Sequence, residues 1–563
     1  MSVSAAIIYR SVVQAVSRAL FGTSASPSIP NDPLSLLDLP NESLSDIACL
    51  LDKRSLYALL LVNQRFHAIA EPVLWRELSS LVPILRLLPE YFEMNIRYPG
   101  IELPREVWER NPNITRLANH VRKLLIHPIT AIDRDIKHAT FYEAIGHTSM
   151  DWASIKAVRR SMPLSSDFVL FPRLQHLEVN SSFNNGINSE VLLPLIGPNV
   201  STLEVHCPLT WLNRLARRCD IRSFAYLEPA PTIYGKLLPV IPRMALDIAA
   251  LANMAHWIEA LHTLRLRLNY GDGLLPLLRP AQSSLRVFDV EIGDLVEVVM
   301  DYGLANLRSL TVRKQKSAFV RALATSTRME TVELHDLIIQ DANDFAEVID
   351  TIGKDALRKV YIQERPPPRY QTPWYLDARH LEALASCPNL LVIDIRASRN
   401  ISITDEEWAA LVPSWPRLQY LRVQPCIPYR RERSSNVIPQ VHAPPTATLA
   451  TVASIALACR YLVEMSIPLK MDEPVPPLED EHIDGQTHLT KFDLGEREIR
   501  LVGSDSRDVA KYLRELFPAL RYVTAIRTPS SANDLAWHEV VDALASNALY
   551  NDLITTRSKC SLE

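Results

Sequence analysis

The nearest approach to a catalytic or metal-binding constellation in this 563-residue sequence is His538-Glu539-Val540-Val541-Asp542. Two ligands four residues apart share one side of a helix, with the glutamate placed as a general base for metal-assisted hydrolysis. Here aspartate stands at the second ligand position and no clear third ligand follows, so zinc hydrolysis is not the reading. His482, beside Glu479, Asp480 and Glu481, reads as a solvated loop histidine. The seven cysteines (Cys49, Cys207, Cys219, Cys387, Cys426, Cys459, Cys560) are scattered, odd in number and never form a CxxC pair. Reduced, packing thiols are expected, which fits the cytoplasm or nucleus. No GxSxG elbow, Walker loop or GxGxxG occurs, and 14 glycines supply few of the turns that bring backbone close to a phosphate. No catalytic residue, metal or cofactor is expected.

The elements that would position any site are better marked. Hydrophobic residues make up 47% and charged residues 22%, ordinary globular values, while the length exceeds what one core usually organises. Several domains or a repeat array are therefore expected. A formal net charge of −4 gives no basis for nonspecific nucleic-acid binding. No apolar run approaches the roughly 18 residues that cross a bilayer, so no membrane span is expected. Residues 1–33 read as an N-terminal extension, with Ile8, Val12, Val16 and Leu20 at helical spacing.

Residues 34–79 form a dense helical block. Asn41 is the expected N-cap after Leu39-Pro40, and Leu44, Ile47, Leu50 and Leu51 recur as one apolar stripe. A second helix holds Leu56, Leu59, Leu60 and Val62; a third holds Phe66, Ile69 and Ala70 until Pro72 interrupts it. Three short helices in about 40 residues bury little core of their own and should need a partner.

LPNESLSDIACLLDKRSLYALLLVNQRFHAIAEPVLWREL, residues 39–78, resembles an F-box. The family begins with Leu-Pro, then a polar or acidic residue and Leu (Glu42, Leu44), with Ile seven residues after the proline (Ile47). A Leu-rich second helix, Val62 and Phe66, and a closing Leu74-Trp75 come next in order. The stretch departs in Phe66, where Trp is commoner, and in the short connection Asp52-Lys53-Arg54. The resemblance implies that Leu39, Pro40, Leu44, Ile47, Leu56, Leu59, Val62, Phe66, Leu74 and Trp75 pack within the hook and against a Skp-family adaptor, itself tied to a cullin.

From residue 121 a short LxxLxV unit recurs, as in LQHLEV from Leu174, VSTLEV from Val200, LHTLRL from Leu261, LRSLTV from Leu307 and LQYLRV from Leu418. Steps of mostly 21 to 33 residues signal a repeat. Each unit offers a strand whose fourth and sixth positions face inward, and the intervening chain returns as helix or irregular segment. Phrases such as FPRL (Phe171) and SCPNL (Ser386) end the returns, and the whole resembles the divergent leucine-rich repeats of fungal-type F-box proteins. The fold expected is α/β: a three-helix F-box, a helical linker at 80–120, an irregular leucine-rich-repeat solenoid at 121–550 in a horseshoe or arc with a parallel strand ribbon, and a tail at 551–563. Insertions belong in the longer steps after Ile221 and Leu418, and exposed loops at 364–374, 424–447 and 468–487.

Third, fifth and seventh positions should face outward: His176 and Glu178, Arg265 and Arg267, Asp289 and Glu291, Thr311 and Arg313, Lys359 and Tyr361, Asp394 and Arg396, Tyr420 and Arg422. Among them Arg265, Arg267, Arg313, Lys359, Tyr361, Arg396, Tyr420 and Arg422 are the candidates for holding a protein target, whose identity is unknown. The resemblance implies the substrate-recognition subunit of a Skp-cullin-F-box ubiquitin ligase, in which other subunits do the chemistry. Alternatives are a leucine-rich-repeat scaffold using its F-box only for complex assembly, or a small-molecule enzyme on an α/β solenoid.

Overall fold

The computed structural model describes residues 39–79, 82–85, 87, 111–126, 169–180, 197–206, 219–227, 232–233, 236–237, 258–270, 274–294, 303–365, 374–397, 400–425, 445–471, 473–477, 488–494, 506–524 and 539–544. The expected N-terminal extension, most of the 80–120 linker, the greater part of the three expected loops, the C-terminal tail, His482 and His538 lie outside the described residues. The chain divides into two compact units, Met1–Leu261 and His262–Glu563.

The first unit opens with three helices, α1 (Asn41–Leu50), α2 (Lys53–Leu60) and α3 (Gln64–Arg76). Asp52 and Asn63 cap α2 and α3, their side chains accepting from Ser55 N–H at 2.7 Å and Phe66 N–H at 2.8 Å. Asn41 does not cap α1; Pro40 holds that position without a side-chain bond. Instead Asn41 Oδ1 accepts from Arg65 Nε at 2.9 Å while Arg65 Nη2 donates to the Leu39 carbonyl at 2.5 Å, tying Leu39-Pro40 to α3. Pro72 does not end α3 either. The carbonyl that proline leaves without an N–H belongs to Ala68, which is exposed, so water can take the bond. Val62 lies beyond the end of α2.

The chain then forms β1 (Glu77–Leu78), α4 (Val82–Leu85), α5 (Pro112–Ala118), β2 (Lys123–Ile126), β3 (His176–Asn180), β4 (Thr202–His206) and β5 (Ser223–Leu227), with a small antiparallel pair, β6 (Thr232–Ile233) and β7 (Lys236–Leu237). Strands β1 to β5 pair in parallel and in sequence order. The ribbon therefore starts one strand earlier than the LxxLxV pattern indicates, at the last residues of the helical block: Leu78 pairs with Leu124, and Arg122 N–H donates to the Arg76 carbonyl at 2.9 Å. Strand β5 falls just after Ile221, on a unit the repeat pattern does not include.

In the second unit β8 (Thr263–Tyr270), β9 (Val287–Asp294), β10 (Ser309–Arg313), β11 (Thr331–Leu337), β12 (Lys359–Glu364), β14 (Val392–Arg396), β16 (Tyr420–Gln424), β17 (Glu464–Ser466), β18 (Lys491–Asp493) and β19 (Tyr522–Thr524) obey the same rule. β13 (Tyr375–Leu376) and β15 (Asn400–Ile401) make a separate parallel pair. The return segments carry α6 (Leu274–Ala281), α7 (Ser317–Leu323), α8 (Ala342–Ile352), α9 (Glu382–Ala385), α10 (Asp405–Leu411), α11 (Leu449–Ala458) and α12 (Ser506–Leu516). The fourth position of each unit forms one in-register inward ladder, from Leu264, Phe288, Leu310 and Val332 to Phe492 and Val523, all buried. Each such side chain contributes on the order of 1.5–3 kcal/mol by leaving water, which no single repeat could accumulate alone. Among the described residues fifteen strands form these ribbons, five in the first unit and ten in the second. This is a helical N-terminal block followed by an α/β leucine-rich-repeat solenoid.

An asparagine directly before the first repeat position ties successive repeats together. Asn199 donates to the Pro172 carbonyl at 2.7 Å, and Asn306 to the Ser283 carbonyl at 2.7 Å. Asn389 reaches the Asp355 carbonyl at 3.5 Å. Among the described residues no helix is long and apolar enough to cross a membrane.

Candidate protein-interaction site

Leu44, Ala48, Leu56, Leu59, Phe66, Ile69 and Ala70 form the core of the three-helix domain, with Leu39, Ile47, Leu51, Leu60, Val62, Val73 and Leu74 packed against it. Of the residues expected at an adaptor interface, Leu44, Leu56, Leu59 and Phe66 are therefore interior, none more than 5% exposed. They shape the interior of the domain. Leu39, Ile47, Val62, Leu74 and Trp75 are half-buried, and Pro40 is exposed.

The large apolar side chains most open to water here are Leu50, Tyr57 and Leu61, at 61%, 62% and 65% exposure. Tyr57 lies on α2 and Leu61, four residues on, is the capping residue that ends it, so the two share one side; Leu50 is the last residue of α1. Tyr57 and Leu61 are absent from the residues singled out in the sequence, and Leu50 is assigned there to the inner stripe. A signal exists in the runs Leu50-Leu51 and Leu59-Leu60-Leu61: consecutive helical residues point about 100° apart, so a whole run cannot face one core. At the end of α1, Cys49 is exposed too. The Ser55 N–H holds the neighbouring Asp52 carboxyl below the usual carboxylate range.

Through α3 the block is fastened to α5, the helix that leads into β2. Glu71 pairs with Arg116, and His120 Nε2 lies 3.9 Å from the same carboxylate. Burial keeps His120 below its ordinary pKa despite Glu71. Asn111 caps α5 and also donates to the Leu87 carbonyl at 3.3 Å.

On the outward face of the second unit's ribbon, the arginines proposed for target contact already meet acids on their own or adjacent strands. Arg265 and Arg313 reach Asp289 at 3.0 and 3.5 Å, and Arg267 reaches Glu291 at 3.5 Å, which also pairs with Lys314 at 2.6 Å. Arg396 and Arg422 meet Asp394 at 3.2 and 3.3 Å, and Arg422 also meets Glu464 at 3.4 Å. Asp394 and Thr311, expected to be exposed, are buried under these neighbours at 9% exposure each. Lys359 is exposed and Tyr361 and Tyr420 are half-buried. The Arg422 guanidinium sits over the Tyr420 ring, 5.3 Å from its centroid. Burial pushes both tyrosine hydroxyls above their ordinary pKa. Near the C-terminus Glu539 and Asp542 are exposed on either side of buried Val540 and Val541.

No curated protein matches this chain. Among solved structures it is similar to a chain of the yeast Rad7 and Elc1 complex, at 13% identity and a TM-score of 0.35, covering 72% of this chain and 94% of that one. It is also similar to an internalin from Listeria monocytogenes, at 15% identity and a TM-score of 0.34, covering 64% and 82% respectively. At such TM-scores neither likeness bears on partner or function. Residues 36–80 match the F-box-like family, so the three-helix block is an F-box-like domain that occupies a small part of the chain.

Proposed function

We propose that this chain is the substrate-recognition subunit of a Skp-cullin-F-box ubiquitin ligase. The F-box-like domain docks a Skp-family adaptor, the adaptor ties it to a cullin, and the strand ribbon holds a protein target. The observation that carries this reading is the combination of the F-box-like match with an apolar remainder the domain does not bury: Leu50, Tyr57 and Leu61, with exposed Pro40 at the start of α1. A domain of this size with a seven-residue core and three large exposed apolar side chains is suited to sharing that surface with another protein. No residue of this chain acts on ubiquitin in this scheme. Its contribution is effective concentration, since a target held by the solenoid stays near the charged transfer enzyme. The site of action is cytoplasm or nucleus.

Co-expression of the full chain with a Skp-family adaptor and a cullin tests the proposal. A three-way complex is expected, and alanine at Leu39, Pro40 and Trp75 together abolishes it while the solenoid stays folded. An adaptor that never co-purifies overturns the reading; an adaptor that co-purifies while cullin is excluded favours a scaffold that uses its F-box for assembly alone.

A further inference from the structure

We infer that His176, Glu178 and Glu204 form a binding site for a divalent transition-metal ion of the zinc type on the outward face of the first unit's ribbon. Strands β3 and β4 run parallel in register, placing His176 opposite Thr202 and Glu178 opposite Glu204. His176 and Glu178 are two residues apart on one strand, so both side chains leave the same face. One ligand atom from each of the three residues lies within 4.8 Å of the other two. Zinc holds imidazole nitrogen and carboxylate oxygen at about 2.0–2.2 Å, which sets donors about 3.4 Å apart in a tetrahedron.

Two independent observations point to a cation. The first is charge placement. Across the second unit's ribbon the cross-strand neighbours of acids are basic or neutral, as in Arg265 beside Asp289, Arg267 beside Glu291 and Asp394 beside Arg422. Glu178 and Glu204 instead put acid directly opposite acid, which sets two carboxylates within reach of one shared cation. The second is the imidazole. Among the described residues the buried His176 Nε2 has no hydrogen-bond partner, a costly state for a polar nitrogen that ligation would relieve. Lys123 stands in register with His176 on β2. Lys123 is itself paired with Glu77 at 3.4 Å.

One imidazole nitrogen with two carboxylates suits zinc and its neighbours in the transition series better than calcium or magnesium, which take oxygen alone. Three protein ligands leave a fourth position open to water or to a side chain of a bound protein. The sequence gives no local sign of the site because Glu178 and Glu204 belong to different repeats, 26 residues apart. The inference stands apart from the ligase reading, and neither depends on the other.

The test uses the full chain, stripped of metal with a chelator and titrated with Zn2+ by calorimetry and with Co2+ by visible absorption. The native chain is expected to take up one equivalent more than His176→Ala or Glu204→Gln, with a Co2+ d–d spectrum that both variants lose. Glu204→Gln keeps the side-chain shape, and in chelator it is expected to melt close to the native temperature, which separates loss of binding from unfolding. Added Zn2+ raises the melting temperature of the native chain and not of Glu204→Gln. Equal stoichiometry and affinity in all three proteins, or no binding by the native chain, overturns the site.

Discussion

Replacing Leu50, Tyr57 and Leu61 together by alanine should break adaptor binding while sparing the fold. Complete burial of a large apolar side chain contributes about 1.5–3 kcal/mol. These three remain 61%, 62% and 65% exposed in the free domain, so docking can still bury well over half of each. Truncation to alanine keeps the Cβ, leaving a loss of about 1 kcal/mol or slightly more per residue, or about 3 kcal/mol for the set. At 1.4 kcal/mol per decade the adaptor should bind about a hundredfold more weakly. Folding stability should move little, since exposed positions without special roles usually change it by less than about 0.5 kcal/mol each. Leu59→Ala is the complementary control: 5% exposed within the core, it should cost about 2–5 kcal/mol of stability. Calorimetric titration of purified adaptor, with thermal melts on the same samples, separates the two effects. Native affinity in the triple variant, or a loss of affinity that only tracks a lower melting temperature, refutes the argument from exposure.

Cysteine reactivity offers a second check: Cys49 is exposed, whereas Cys387 and Cys459 are buried and burial pushes the Cys459 thiol up to about 12. Peptide-resolved alkylation should label Cys49 in the native chain and the buried pair only after unfolding, and bound adaptor should slow Cys49; equal rates for Cys49 and Cys459 contradict the packing. Asp405 accepts hydrogen bonds from Thr448 N–H at 2.7 Å, Thr448 Oγ1 at 2.6 Å and Thr451 Oγ1 at 2.5 Å. Burial disfavours its charge, but these bonds outweigh burial and hold the carboxyl below the model-peptide value of 3.8. Because the folded pKa is the lower one, this stabilisation is full above the unfolded pKa and fades as pH falls through the folded value. Asp405→Asn should therefore lower the melting temperature near neutrality, costing about 1–3 kcal/mol, and flatten the acid limb of a melt series below pH about 4; an unchanged acid limb counts against it. Asn306→Ala removes the side-chain bond to the preceding repeat and should cost about 1 kcal/mol in denaturant unfolding, while no change would make that bond incidental.

The inward half of the fold was legible because it depends on neighbours close in sequence. Apolar residues at the fourth and sixth positions of a short strand can meet only the core, and repetition fixes the register, as Leu177 beside Leu203 and Leu310 beside Val332 illustrate. What escaped lacks that local mark. Strand β1 is two residues long and its single inward anchor, Leu78, also reads as the end of a helical block. The β5 unit has Tyr226 at the sixth position, where the other described repeats carry an aliphatic side chain. Pro72 ordinarily stops a helix, and only the exposure of Ala68 in three dimensions shows why α3 continues.

The outward half was harder to read for a physical reason that also bears on function. A strand pattern says which residues leave the core; it does not say which are then engaged with one another. Arg265, Arg267, Arg313, Arg396 and Arg422 face outward yet meet Asp289, Glu291, Asp394 or Glu464. A target that used these arginines would have to compete with carboxylates already placed at 3.0 to 3.5 Å, so a purely acidic ligand gains little from them. Discrimination on this ribbon then falls to what the ion pairs leave over: exposed Lys359, the part of the Tyr361 ring still open to water, and the shape set by Arg422 over Tyr420. A target held there, as proposed, would be selected by fit and by matched alternation of charge, and substituting one of the arginines would disturb the neighbouring acids as much as any partner.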